Sequence, residues 1–142
     1  MKILSPSLKF IFNLAKVQAL LSRRYDSGLG GLGFNEFMIL YYLSNAPDEK
    51  LRRIDLAGKI GLTASGVTRI LLPMEKVGYV GRESNPNDAR VSYAILAPGG
   101  KRRLEEELER AEYLTTEIIP EHKAKKVTEL SELLTELSGT IT

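Results

Sequence analysis

Apolar positions recur at helical spacing through most of this chain. Within residues 5–25 they fall at Leu8, Ile11, Phe12, Ala15, Ala19 and Leu20, one stripe of a helix that Ser5 or Ser7 can cap. The run from Gly28 to Gly33 stops it, because four glycines in six residues leave the backbone free. A second helix, over about 34–45, carries Phe37, Leu40, Tyr41 and Leu43. Two starts fit it: Gly33 with Glu36 three residues on, or Asn35 with a Phe34–Ile39 staple. Asn45-Ala46-Pro47-Asp48 ends it.

From Leu51 to Val80 the elements shorten. A helix over 53–60 turns Ile54, Leu56, Ala57 and Ile60 inward, Gly61-Leu62 makes a tight link, and a helix over 63–77 turns Val67, Ile70, Leu71 and Met74 inward. Thr63 is the natural N-cap and Gly78 the left-handed stop. Pro73 removes the bond to the Arg69 carbonyl and predicts a bend. Two short helices joined by a Gly-containing turn are a helix-turn-helix pattern. The period then changes to two. Val91, Tyr93 and Ile95 alternate with Ser92 and Ala94, so Tyr79–Glu83 and Arg90–Leu96 read as strands flanking a turn at 84–89. A hairpin directly after a helix-turn-helix predicts a winged helix.

A long helix over about 99–118 follows, with a stripe of Leu104, Leu108, Ala111, Leu114 and Ile118. Pro120 breaks it, and a last helix over 121–138 carries Ala124, Val127, Leu130, Leu133, Leu134 and Leu137. The first helix and the last two have apolar faces that a small winged helix cannot cover. A second copy of the chain is the simplest cover. The expected fold is mainly α with a small β-hairpin wing, a winged helix-turn-helix plus a helical dimerisation region. Residues 1–142 are expected to form one unit, with the winged helix-turn-helix lobe at 34–97 and helical dimerisation segments at 1–27 and 98–142.

Composition narrows the function. The formal net charge of +2 hides an asymmetry: residues 51–103 carry ten basic and four acidic side chains, a balance of +6, and residues 104–142 carry four and ten, a balance of −6. A basic middle before an acidic tail fits a polyanion-binding module with a separate helical part, and equally fits uneven solvated helix surfaces. No cysteine is present, which removes disulfides, thiolate nucleophiles and thiol redox switches and fits a cytoplasmic protein. The N-terminus has no signal-peptide pattern, and no apolar run approaches the ~20 residues that span a bilayer, so no membrane partner is expected. With His122 the lone histidine, His-rich metal sites and His-based triads have little support, and no cofactor is expected. Glu105, Glu109 and Glu112 share one helix face without a nucleophile or base beside them, the pattern of a solvated stripe and not of an enzyme.

The early exposed positions of the second helix of the pair are Ala64, Ser65, Gly66, Thr68 and Arg69. Small and hydrogen-bonding residues let a backbone approach DNA closely, and Arg69 can pair with guanine O6/N7 or hold a phosphate. Taken alone, the same residues suit an ordinary amphipathic helix. At the hairpin tip, Arg90 can enter a narrow minor groove, and Asp88 can hold its guanidinium in one rotamer. The plainer reading is an Asx-type turn at Asn85, Asn87 or Asp88 with Arg90 merely exposed. Position after a helix-turn-helix favours DNA. Arg52, Arg53 and Arg82 are candidate phosphate contacts, though each could be only a surface charge.

Residues 62–101, LTASGVTRILLPMEKVGYVGRESNPNDARVSYAILAPGGK, resemble the DNA-binding core of the MarR family (multiple-antibiotic-resistance regulators). The carrying pieces are Val67-Thr68-Arg69, then Met74-Glu75 with Gly78-Tyr79-Val80 and Arg82, then Asn85-Pro86 with Asp88-Ala89-Arg90. The order of elements matches over nearly the whole chain. The resemblance implies a homodimer interlocked through the first and last two helices. It implies double-stranded DNA as partner, with recognition helices in adjacent major grooves and wing arginines in the flanking minor grooves. It implies a transcriptional regulator, most often a repressor, and often one released by a small aromatic or phenolic ligand. By position, Ser65, Thr68 and Arg69 would read the major groove and Asp88 and Arg90 would belong to the wing. The full candidate set is Arg52, Arg53, Thr63, Ser65, Thr68, Arg69, Arg82, Asn87, Asp88 and Arg90. Ala97 stands where many relatives carry a capping Thr, and the missing cysteine argues against thiol-based oxidant sensing. Phe10, Tyr25, Phe37, Tyr41 and Tyr42 are the aromatic residues available to a ligand pocket between the dimer helices and the DNA-binding lobe, although core packing is the commoner fate of such residues. Two other classes stay open: a winged helix that packages DNA without sequence preference, and one that binds protein.

Overall fold

The computed structural model describes residues 1–141, apart from the side chains of Ala89 and Arg90. Six α-helices and three strands follow one another: α1 (Pro6–Gly28), α2 (Phe34–Ser44), β1 (Lys50–Arg52), α3 (Arg53–Ile60), α4 (Ala64–Lys76), β2 (Val80–Asn85), β3 (Asp88–Leu96), α5 (Pro98–Ile118) and α6 (Ala124–Ser138). Short 3-10 turns, Pro47–Glu49 and Glu121–Lys123, precede β1 and α6.

Local chemistry explains most boundaries. Ser5 caps α1, its hydroxyl accepting from the Leu8 N–H at 3.2 Å, with Pro6 at the first helical position. Of the two starts open for α2, the structure takes Gly33: Glu36 Oε1 accepts from the Gly33 N–H at 2.9 Å. Asp26 adds a cap from a distance, its Oδ1 accepting from the Phe34 N–H at 2.7 Å. Gly78, at φ +83°, ends α4 in a Schellman turn, with Tyr79 N–H bonded to the Met74 carbonyl at 2.9 Å and Gly78 N–H to Glu75 at 3.1 Å. Despite Pro73, α4 runs unbroken from Ala64 to Lys76.

The wing is longer and its turn tighter than the sequence suggests. β2 and β3 pair antiparallel from Val80↔Leu96 to Ser84↔Ser92, then slip by an irregularity to Asn85↔Asp88. β1 joins the other edge of β3 through Lys50↔Ile95, Leu51↔Ala94 and Arg52↔Tyr93, so the sheet order is β1-β3-β2. Three residues are too few to show alternation, which is why β1 is invisible in the sequence.

The core gathers Leu29, Leu32, Ile39, Leu40, Leu43, Leu56, Val67, Leu71 and Met74, each at most 2% exposed. Ile54, expected in the core, is 62% exposed, whereas Leu56 and Ala57 of α3 are buried in it and Ile60 packs against it. On α5 the stripe holds for Leu104, Ala111 and Leu114, while Leu108 faces out. Glu107 of α5 is fully buried beside Arg103 (3.6 Å) and Arg110 (3.3 Å), and Arg103 also donates to the Leu29 and Gly30 carbonyls at 3.2 and 2.6 Å. This ion cluster fastens the glycine-rich link to α5. By contrast, Tyr25 alone of α1 is buried and no residue of α6 is, among the described residues. Leu8, Ile11, Phe12, Val17 and Leu20 of α1 and Leu130 and Leu133 of α6 lie open to solvent in the single chain. No helix among the described residues is long and apolar enough to cross a membrane.

Candidate nucleic-acid interface

The α3–α4 turn sets the geometry of the site. Gly61 is left-handed (φ +72°), and the Leu62 N–H returns to the Ala57 carbonyl at 3.0 Å, so the chain reverses within two residues. Thr63 then starts α4: its Oγ1 accepts from the Gly66 N–H at 3.0 Å and lies 3.2 Å from Ser65 Oγ. Val67, Leu71 and Met74 hold α4 against the core, spaced at three and four residues. The opposite face, with Ala64, Ser65 and Arg69, is therefore exposed. Thirteen residues make a rod of ~20 Å, and the free N–H groups of its first turn carry the positive end of the helix dipole.

Arg69 is exposed and forms no side-chain hydrogen bond or ion pair among the described residues. Thr68 is different. Its hydroxyl donates to the Ala64 carbonyl at 3.0 Å and accepts from Arg53 Nη1 at 3.2 Å. Arg52, Arg53, Ser65 and Thr68 come together around a cleft of 370 Å³ between α4 and the sheet, with Ile54 and Val91 on its other walls. The outward turn of Ile54 is thus part of this surface.

Arg52 and Arg82 are already paired. Arg52 grips Asp55 through Nε (2.9 Å) and Nη2 (3.2 Å), and this guanidinium holds the Asp55 carboxyl below the usual carboxylate range. Arg82, on β2, reaches back to Glu75 near the end of α4 at 3.2 to 3.4 Å. Glu75 also stands 4.0 Å from Arg53 Nη2. At the wing tip Asn85 Oδ1 accepts from the Asn87 N–H at 2.8 Å, an Asx turn that leaves Pro86 and Asn87 outermost. The backbone of Asp88 and Arg90 starts β3 next to this tip. The Arg90 side chain lies outside the described residues, and with it the expected Asp88–Arg90 pair.

Two features of the site have no counterpart in the sequence reading. β1 carries Arg52 to the rim of the cleft, and Glu75 joins two arginines from the elements on either side of α4. Of the aromatic residues considered for a ligand pocket, Tyr25 and Phe37 line a cavity of 280 Å³ between α1, α2 and α5, with Leu21, Phe34, Ala111 and Thr115. Phe10 instead lies in a groove between α1 and α6, and Tyr42 packs under the Lys59 ammonium at 5.4 Å.

Comparison with known proteins agrees with this geometry. The MarR family profile matches residues 34–92, from the start of α2 into β3. The HTH-type transcriptional repressor YetL of Bacillus subtilis is 30% identical over 96 residues, 68% of this chain and 57% of its own length. The chain therefore spans little more than half of that relative. The transcriptional regulator BldR of Sulfolobus solfataricus superposes with a TM-score of 0.83 at 24% identity, covering 99% of this chain and 100% of its own. A MarR family transcriptional regulator from Streptomyces coelicolor, solved in complex with DNA, superposes with a TM-score of 0.77 at 22% identity, over 96% of this chain and 90% of its own. At such identities the superpositions speak for the fold. The matched segment holds the helix-turn-helix and most of its three-stranded wing, so residues 34–92 are a MarR family domain.

Proposed function

We propose that this chain is a homodimeric, sequence-specific DNA-binding regulator, acting as a repressor on an inverted-repeat operator. The observation that carries the reading is the exposed face of α4, where Ser65, Thr68 and Arg69, unpaired among the described residues, stand out from a helix whose other face is locked into the core. Ser65, Thr68 and Arg69 would meet base edges in the major groove, Thr63 and the α4 N-terminus a phosphate, and Asn87, Asp88 and Arg90 the minor groove beside it. The half-site centres would lie ~10 bp apart, one helical turn. Dimerisation would cover the open stripes of α1 and α6. The helical segments 1–27 and 98–142 would supply that interface and residues 34–97 the DNA contacts.

The small cavity beside Tyr25 and Phe37 supports a small aromatic effector as the signal for release. It touches α1 and α5 on one side and α2 on the other, so an occupant would bias how the DNA-binding lobe sits on the dimer helices. A cytoplasmic location follows from the DNA target.

The test is selection of bound fragments from sheared genomic DNA by the purified protein at ~150 mM salt, a concentration at which phosphate contacts alone bind weakly. Recovery of a shared inverted repeat supports the reading. Fragments without a shared motif would point to DNA packaging, and no recovery at all to a protein-binding winged helix.

A further inference from the structure

Three basic side chains on the DNA-facing lobe do not stand free. A single carboxylate, Glu75, accounts for two of them. Arg82 from β2 makes a forked contact to its two oxygens at 3.2 and 3.3 Å. Arg53, at the first position of α3, approaches the same carboxylate at 4.0 Å. Arg53 is well enclosed, its side chain 22% exposed, and its Nε is buried without a hydrogen-bond partner. What holds the guanidinium inside the lobe is its other two nitrogens, Nη2 facing Glu75 and Nη1 bonded to Thr68. From there Arg53 turns its Nη1 onto Thr68, whose own proton is committed to the Ala64 carbonyl. Thr68 therefore offers the groove a fixed methyl group and a hydroxyl oxygen already occupied on the Arg53 side.

We propose that Glu75 is a positioning residue for sequence discrimination: it keeps Arg53 and Arg82 from indiscriminate phosphate contacts and, through Arg53, fixes the face that Thr68 presents to the bases. The chemistry follows from what each contact can discriminate. Phosphates are identical at every step of the duplex, so an arginine released onto them raises affinity for all sequences alike. A threonine locked in one rotamer meets a thymine methyl or a base-edge donor in one geometry only. Charge pairing within the lobe thus lowers affinity for random DNA and sharpens the choice among sequences. Arg53 is then a strut and not a phosphate contact, and Arg82 is a cation held back. The proposal rests on the reading that α4 faces DNA.

The experiment compares wild type with Glu75→Gln, which keeps the shape and removes the charge. Binding is measured across a salt series to the duplex recovered by the selection above and to a random duplex of equal length. The expected result is tighter binding to random DNA, a salt slope steeper by ~1 to 2, and a specific-to-random ratio lowered by ~10-fold. A cycle of Arg53→Ala, Thr68→Val and the double variant keeps the test open should Glu75→Gln fold poorly. Both single variants should lower the ratio, the double variant should be no worse than either, and the salt slope should not fall. An unchanged slope and ratio in folded Glu75→Gln, or additive losses with a slope lower by ~0.9 on removing Arg53, would overturn the proposal while leaving DNA binding intact. Wild type that binds neither duplex would overturn the DNA-binding reading and this proposal with it.

Discussion

Gly100, in the first turn of α5, lies directly against the carbonyl oxygen of Tyr79, with no room between them for a Cβ. Beside it, a Cβ on Gly99 would come within 2.7 Å of the Gly78 carbonyl. α5 thus starts on the turn that ends α4, backbone on backbone. Gly100→Ala should force these elements apart and destabilise the protein by about 1–3 kcal/mol, read as a lower melting temperature. Gly58, exposed in α3, has nothing within 4 Å of the corresponding position, and Gly58→Ala should stabilise by about 0.5–1 kcal/mol. Equal melting temperatures for the two variants would contradict the close contact.

Arg69 should behave as a base-reading side chain. Arg69→Ala should cost about 1–3 kcal/mol of binding and relax preference at one operator position. A loss of equal size on every sequence would mean that Arg69 touches phosphate alone.

For Arg90, the prediction concerns the flanks. Its backbone starts the last strand of the wing beside the Asx turn of Asn85. Arg90→Ala should weaken binding most on operators with A·T-rich flanks, where the minor groove is narrow and most negative. Operator variants differing only in flank composition decide it; a loss independent of the flanks would remove the wing from the minor groove.

The open stripe of α1 makes the dimer testable without DNA. Phe12 is 57% exposed and Ile11 50% in the single chain. Phe12→Asp should shift sedimentation from dimer to monomer and abolish tight operator binding, since one half-site contributes far less than two. Monomeric wild type at the concentrations that bind operator would sink the dimer reading.

Asp55 should leave a trace at acid pH. Arg52 lowers its carboxyl pKa in the folded chain, so the pair contributes stability at pH values above the unfolded carboxylate range of ~4. That contribution is lost as pH falls through the lowered folded value. The pair is largely solvent-exposed, so the contribution is small. Melting curves of wild type and Asp55→Asn should differ above pH ~4 and converge at lower pH. A constant gap down to strongly acid pH would mean that the Arg52 contact does not depend on the Asp55 charge.

The sequence carried the helix-turn-helix almost to the residue. Thr63, Gly61 and Gly78 act through bonds spanning a few positions, and Val67, Leu71 and Met74 follow the helical period. Such signals are local, so they survive without the rest of the fold. The exposed face at Ser65 and Arg69 was legible for the same reason. β1 was not, because a three-residue strand exists only through its pairing with β3. Ile54 was misplaced because a helix of eight residues has too few turns for its period to say which flank meets the core.

Charged residues show where the sequence stops deciding. Glu105, Glu107 and Glu109 stand in one acidic run, yet Glu107 alone of the three is buried, because Arg103 and Arg110 meet it where the glycine-rich link folds over α5. Glu75 is likewise one acid among many until β2 returns Arg82 to it. The apolar stripes of α1, α5 and α6 look alike on paper, but α5 spends its stripe inside the chain while those of α1 and α6 stay open. Periodicity and caps fixed the local elements by themselves, since their hydrogen bonds close within a turn. Tertiary structure alone chose the partner of each apolar face, brought Arg53 to Glu75 and laid the Leu29 and Gly30 carbonyls on Arg103, because proximity between residues so far apart in sequence exists only once the chain has packed.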